Sequence, residues 1–228
     1  MQGIVPRFQP IVDTWQNRVI GFEATVRGVR GESAQALFER AKSQERVVDL
    51  DFEARSLALQ AGLPMLKDGQ RLFLNCTSDT VQQKLDAFLA DVPLNRVVLE
   101  ITEQMPIRLE MNRLREDLQS WCDQGLQVAL DDFGHGFTNV EMITELPLSY
   151  LKLDKVFAAS VHRPKTAETV KWLVRMCQDA GIRFVVEGVE TAEQRERLLD
   201  LGVRFMQGFY FGYPKSAPVR QVSLGPLS

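Results

Sequence analysis

Short apolar or β-branched runs recur along the chain, separated by longer amphipathic stretches. Eight of these runs read as strands, near residues 5–12, 19–26, 71–76, 96–101, 127–132, 150–154, 183–187 and 205–211. Apolar positions at helical spacing predict helices over 34–62 (a pair), 79–90, 107–124, 137–146, 165–180 and 192–201. Punctuation supports several of them. Thr191 and Gln194 form a capping box before 195–201, and Gly202 follows as a stop. Pro164 fits the first turn of the preceding helix and Gly181 its end.

Strands that alternate with helices pair in parallel through right-handed crossovers. Eight strands in about 210 residues suit a closed barrel. Only residues 13–18 join the first two strands, too few for a crossover, so those two pair as an antiparallel hairpin. The expected fold is α/β, a modified TIM-type (β/α)8 barrel with an antiparallel first strand. A single domain is expected over 1–228, with its core at about 5–214 and a loose tail rich in Pro, Ser and Gly over 215–228.

Composition narrows the partners. An apolar fraction of 45% and a charged fraction of 25% are those of an ordinary globular protein. A net charge of −3 argues against a DNA or RNA polymer or a membrane surface as partner. Three cysteines without a CxxC pair argue against a disulfide framework or a zinc ribbon and suggest a reducing compartment. With no signal peptide and no apolar run near the ~20 residues of a membrane span, a cytoplasmic location is expected. A longer parent protein stays open.

The strand ends carry the chemistry. Glu23, Asn75, Glu100, Asp131, Asp132, Asp154 and Glu187 fall at or near the C-terminal ends of predicted strands, with Lys152 and Gln207 in the same set. Those ends form the active-site face of a TIM barrel. The same-face neighbours Val98, Ala129 and Val185 are apolar, so each carboxylate closes an inward-facing apolar row. Such a residue is costly unless it binds something. Two carboxylates ~4 Å apart repel by ~4 kcal/mol at an effective dielectric of 20. Five of them against Lys152 call for shared protons or bound cations. All-oxygen ligands favour Mg²⁺, Mn²⁺ or Ca²⁺, and an Asp131–Asp132 pair suits bridging two ions.

These residues lie in motifs that resemble the EAL-domain cyclic di-GMP phosphodiesterases. They are Phe8-Gln9-Pro10-Ile11-Val12, Gly21-Phe22-Glu23-Ala24-Thr25-Val26-Arg27, Leu99-Glu100-Ile101-Thr102-Glu103 and Asp131-Asp132-Phe133-Gly134. Leu151-Lys152-Leu153-Asp154, Glu187-Gly188-Val189-Glu190-Thr191 and Gln207-Gly208-Phe209 complete the series in family order. The resemblance implies two divalent ions, Mg²⁺ or Mn²⁺, with Ca²⁺ inhibitory. Glu23, Asn75, Glu100 and Asp131 would hold one, and Asp131, Asp132 and Glu187 the other. It implies that Lys152 orients or deprotonates the attacking water. Gln9, Pro10, Arg27, Asp154 and Gln207 are the substrate-side candidates, Arg27 for a phosphate. The implied reaction opens cyclic di-GMP to its linear form. A homodimer through the helix after Phe137 and attached sensory or cyclase domains in a parent protein are further implications.

The chain departs from the family in places. Thr25 replaces the usual leucine of the signature triplet, and Ser149 stands where aspartate is common. His135, Thr138 and Asn139 replace small or serine residues in the loop after the fifth strand. Three functional classes follow: an active phosphodiesterase, a catalytically weak or inactive cyclic di-GMP sensor, and a protein-binding scaffold. Other residues read as ordinary. Gly134-His135-Gly136 fails as a dinucleotide fingerprint because residue 139 is Asn. His135 and His162 read as loop residues, Cys76 as packing, and Trp121, Trp172 and Met176 as core or interface. Glu103 and Glu190 either support the site carboxylates or pair on the surface.

Overall fold

A computed structural model describes residues 3–102, 111–135 and 140–218. Eight strands close into one barrel in chain order: β1 (Ile4–Asp13), β2 (Arg18–Gly28), β3 (Arg71–Cys76), β4 (Val97–Thr102), β5 (Gln127–Phe133), β6 (Tyr150–Leu153), β7 (Arg183–Val186) and β8 (Phe205–Gln207). The first strand runs antiparallel to both neighbours, β2 and β8, and every other pairing is parallel. This is the expected modified barrel.

Helices α1 (Ala34–Ser43), α2 (Val47–Gly62), α3 (Ser78–Leu89), α4 (Met111–Asp123), α5 (Glu141–Glu145), α6 (Lys155–Ser160), α7 (Pro164–Asp179) and α8 (Ala192–Asp200) occupy the connections. Side-chain caps start several of them. Ser33, Thr77 and Asp154 each accept a backbone N–H from the following turn, and Thr191 with Gln194 makes the full capping box. The expected starts of α4 and α5, with Glu103, Gly136, Phe137, Thr138 and Asn139, lie outside the described residues, as do positions 219–228 of the tail.

Two elements differ from the sequence reading. Helix α6 was not foreseen: its six residues are too few to show a helical period, and the strand before it stops at Leu153 with Asp154 as the cap. Strand β8 ends at Gln207, because the chain turns at Gly208 to pass Val189; a Cβ there would lie 2.1 Å from the Val189 carbonyl oxygen. The strand expected over 205–211 thus becomes a three-residue strand and a folded loop.

The barrel has an inner and an outer core. Ile11, Phe73, Val98, Ala129, Tyr150 and Val185 pack inside, with Ile20 and Phe205 against them. The alternate positions, among them Leu72, Leu74, Leu99, Leu130, Leu151 and Val186, face the helices in a larger apolar layer. At the bottom, the hairpin between β1 and β2 is tied to β8. The buried Asp13 accepts two hydrogen bonds from Arg204, at 2.9 and 2.6 Å, and the N–H groups of Trp15 and Gln16 at 3.2 Å each.

Candidate active site

Six site residues stand two positions beyond an inner-core residue. Asn75 follows Phe73, Glu100 follows Val98, Asp131 follows Ala129, Lys152 follows Tyr150, Glu187 follows Val185, and Gln207 follows Phe205. On β1, which runs the other way, Gln9 lies two before Ile11, and it pairs with Glu23 across the hairpin. Strand alternation therefore lifts a polar layer directly above the apolar plug, at the C-terminal mouth of the barrel.

At the centre sits Lys152, fully buried. Its ammonium lies 2.6 Å from Glu100 Oε1, 2.6 Å from Glu187 Oε1, 2.9 Å from Asp131 Oδ1 and 3.4 Å from Glu23 Oε2. Glu23 is further held by Asn75, which donates at 3.3 Å, and by Gln207, which donates at 2.5 Å. Gln207 also donates to Gln9 Oε1 at 3.2 Å, so both glutamines join the layer.

Asp131 and Asp132 are adjacent, and regular alternation would send their side chains to opposite faces. A break in register between Leu130 and Phe133 changes this, with Asp132 in the left-handed region at φ 55°. Such an irregularity re-aims a side chain, and aspartate tolerates that backbone better than most residues. One carboxylate oxygen from each of Asp131, Asp132 and Glu187 consequently lies within 4.8 Å of the others. Strand parity could not reveal this, because the bulge has no signature beyond the acidic pair and the following Gly134.

The electrostatics follow from burial. Burial pushes the carboxyls of Glu100, Asp131 and Asp132 up, for Glu100 well above the ordinary range, despite the attraction of Lys152. Glu187 is raised to about 8 for the same reason. Glu23 is the exception: burial also raises it, but Lys152, Gln207 and Asn75 together outweigh burial and hold it below the usual value. Lys152 is penalised by burial, yet the surrounding carboxylates drive its pKa well above that of a free lysine. Both oxygens of Glu100 lack an aligned hydrogen-bond donor, although Oε1 is close to the ammonium. One ammonium does not satisfy this layer.

A hard divalent ion fits these donors. They are carboxylate and amide oxygens, they are converging, and they are under-satisfied. The tight group is Asp131, Asp132 and Glu187; Glu23, Glu100 and Asp131 converge on Lys152. From this layer a cleft of about 720 Å³ opens between the mouth and α1–α2, lined among others by Thr25, Phe38, Asn75, Asp131, Asp132 and Glu187.

The remaining candidates take varied positions. Arg27 is exposed farther along β2, and Pro10 is buried against Gly212. Asp154 is buried and spends one oxygen on the N–H of Val156 at 2.8 Å; His135 Nδ1 lies 3.5 Å from the other. Cys76 is buried packing, and Trp121 packs half-buried against the core, while Trp172 stands exposed on α7. His162 and Glu190 are exposed. Among the described residues no helix is long and apolar enough to cross a membrane.

Fold and site together define a TIM-type barrel with an antiparallel first strand and a compact acidic cluster at its mouth. The chain belongs to the EAL domain family, whose model matches residues 2–214. It is 35% identical over 140 residues to the cyclic di-GMP phosphodiesterase RocR of Pseudomonas aeruginosa, covering 60% of this chain and 36% of that protein. It is 32% identical over 228 residues to the probable cyclic di-GMP phosphodiesterase PdeN of Escherichia coli, covering 91% of this chain and 42% of that one. The chain thus spans less than half the length of either relative. A solved manganese/cy-diGMP complex of Klebsiella pneumoniae BlrP1 superposes with a TM-score of 0.80 at 30% identity, covering 94% of this chain and 56% of that chain.

Proposed function

We propose that this chain hydrolyses one phosphodiester bond of cyclic di-GMP, giving the linear dinucleotide, with two divalent ions bound in the acidic layer. The observation that carries the reading is the convergence of Glu23, Glu100, Asp131 and Glu187 on Lys152, with Asp132 turned into the same cluster. No purely structural need accounts for five buried or half-buried carboxylates around one cation. Relatives named as cyclic di-GMP phosphodiesterases, and a neighbour solved with manganese and cy-diGMP, support the substrate.

In this reading Asp131, Asp132 and Glu187 hold one ion, and Glu23, Asn75, Glu100 and Asp131 the other. Bound divalent ions supply an acidified water and charge stabilisation on the phosphoryl oxygens. The protein's own residues do the rest. Gln207 and Asn75 fix the Glu23 carboxylate from two sides. Lys152, whose ammonium reaches Glu100, Glu187 and Asp131, orients or deprotonates the attacking water. Gln9, Pro10, Arg27, Asp154 and Gln207 serve the substrate side, and the cleft past Thr25 gives the dinucleotide room. Mg²⁺ or Mn²⁺ is the working ion, with Ca²⁺ binding but not supporting turnover.

The sensor reading has one observation in its favour. His135, in place of a small residue, reaches toward Asp154 on the same rim. Glu23→Ala tests the proposal. Product formation disappears while circular dichroism stays native, whereas turnover retained in that variant removes the assignment. Saturable binding of cyclic di-GMP by the wild type without product would favour the sensor.

A further inference from the structure

Beside the acidic layer the loop after β8 holds two aromatic rings out of the core. Phe209 and Tyr213 stack with centroids 4.5 Å apart and planes 24° from parallel, and they are 46% and 63% exposed. The loop that carries them is well tied. Tyr210 N donates to Val189 O at 3.0 Å, and Phe211 and Gly212 both donate to Gly208 O, at 3.1 and 3.2 Å. Lys215 exchanges two backbone hydrogen bonds with Phe8, and Phe211 is buried. The exposure of the pair is therefore fixed by the backbone; the intervening Phe211 takes the inward place.

The loop is also wired to the site. Gln9 donates from Nε2 to Gly212 O at 3.1 Å while its Oε1 accepts from Gln207, which in turn donates to Glu23. Gly212 lies against Pro10, where an added Cβ would stand 3.4 Å from the ring. The stacked pair is thus one side chain away from the carboxylate layer, on the β1–β8 side of the mouth. In the barrel order β8, β1 and β2 are neighbours, so this side of the mouth adjoins the cleft along α1–α2, which follow β2.

We infer that Phe209 and Tyr213 form a stacking platform for one purine base of a cyclic dinucleotide whose phosphodiester lies over the acidic layer. Two parallel rings held out of the core offer a flat π-face, and a base completes such a stack irrespective of its hydrogen-bonding edge. This rests on the cyclic-dinucleotide reading above. Tyr213, outside every motif noted in the sequence, becomes a binding residue.

The test compares wild type, Tyr213→Ala, Phe209→Ala and Tyr213→Phe with cyclic di-GMP. Steady-state turnover in Mn²⁺ is measured, together with direct binding in chelator. Loss of one stacked base predicts about tenfold weaker binding for either alanine variant. The change falls on KM rather than kcat, and Tyr213→Phe behaves as wild type. Unchanged KM and binding in Tyr213→Ala, with an active wild type, would overturn the platform and leave the phosphodiesterase reading intact. A wild type that binds without cleaving would sink the catalytic reading, while the binding arm still decides the platform. A wild type that neither binds nor cleaves would remove both. Conversion of a dimer to a monomer by Tyr213→Ala in light scattering, with nucleotide binding unchanged, would make the pair a self-association surface instead and overturn the inference.

Discussion

Replacing Lys152 with methionine keeps most of the buried stem and deletes the charge at the centre of the site. The ammonium is fully buried and has carboxylate oxygens at 2.6, 2.6, 2.9 and 3.4 Å. At an effective dielectric of 20, a full charge pair at the 3.4 Å of Glu23, the carboxyl held below its usual value, attracts by about 5 kcal/mol. Much of that is offset by the several kcal/mol needed to desolvate each ion. What remains on truncating one partner is the cost of leaving the other charges buried and unpaired, about 3–5 kcal/mol. In a chain of this size that lowers Tm by roughly 10 °C. Thermal denaturation followed by circular dichroism in chelator reads it directly. Adding Mn²⁺ then stabilises the variant more than the wild type, since a ligand that binds only the folded state supplies the missing positive charge. An unchanged Tm in chelator would refute the view that the ammonium neutralises this layer. A variant that Mn²⁺ does not stabilise at all would refute the claim that the same carboxylates hold the ion.

Other consequences are separable from the site. Asp13→Ala removes the tie between the hairpin and β8 and costs about 2 kcal/mol in denaturant unfolding, as expected for charge-assisted hydrogen bonds. Burial pushes the Asp13 carboxyl up, but the Arg204 and Gln16 hydrogen bonds outweigh it and leave it below its ordinary value of 3.8. Its stabilisation is therefore present above that pH and is lost as pH falls through the depressed folded value; wild type and variant converge in stability there. Gly188→Ala, at φ 67° with the new Cβ 2.2 Å from Lys155 Cβ, forces α6 away from the turn that follows Glu187. We expect a loss of about 1–3 kcal/mol together with weakened Mn²⁺ binding by titration calorimetry. An alanine variant as stable and as metal-competent as wild type would show that the close approach is not needed.

Much of this was legible because the barrel repeats one rule. A polar residue ending an inward apolar row is visible in sequence, and Val98–Glu100, Ala129–Asp131 and Val185–Glu187 are each such a pair. The antiparallel first strand was legible from the short connection alone. What was not legible has physical reasons. Asp132 was named from its place at the strand end, but not how it reaches the cluster, which is through a bulge that two-residue periodicity cannot express. Asp154 looked like a strand-end partner of Lys152, yet one of its oxygens caps α6, a helix too short to announce itself. The Phe209–Tyr213 stack depends on the Gly208 turn, where the expected strand gives way to a loop.

The central claim is tested most directly by incubating purified wild-type protein with cyclic di-GMP and Mn²⁺, with chelator as control, and following the products by chromatography. The account predicts the linear dinucleotide with Mn²⁺ and none with chelator. Product formed equally in chelator, or no product with Mn²⁺ while the nucleotide is bound, would contradict it.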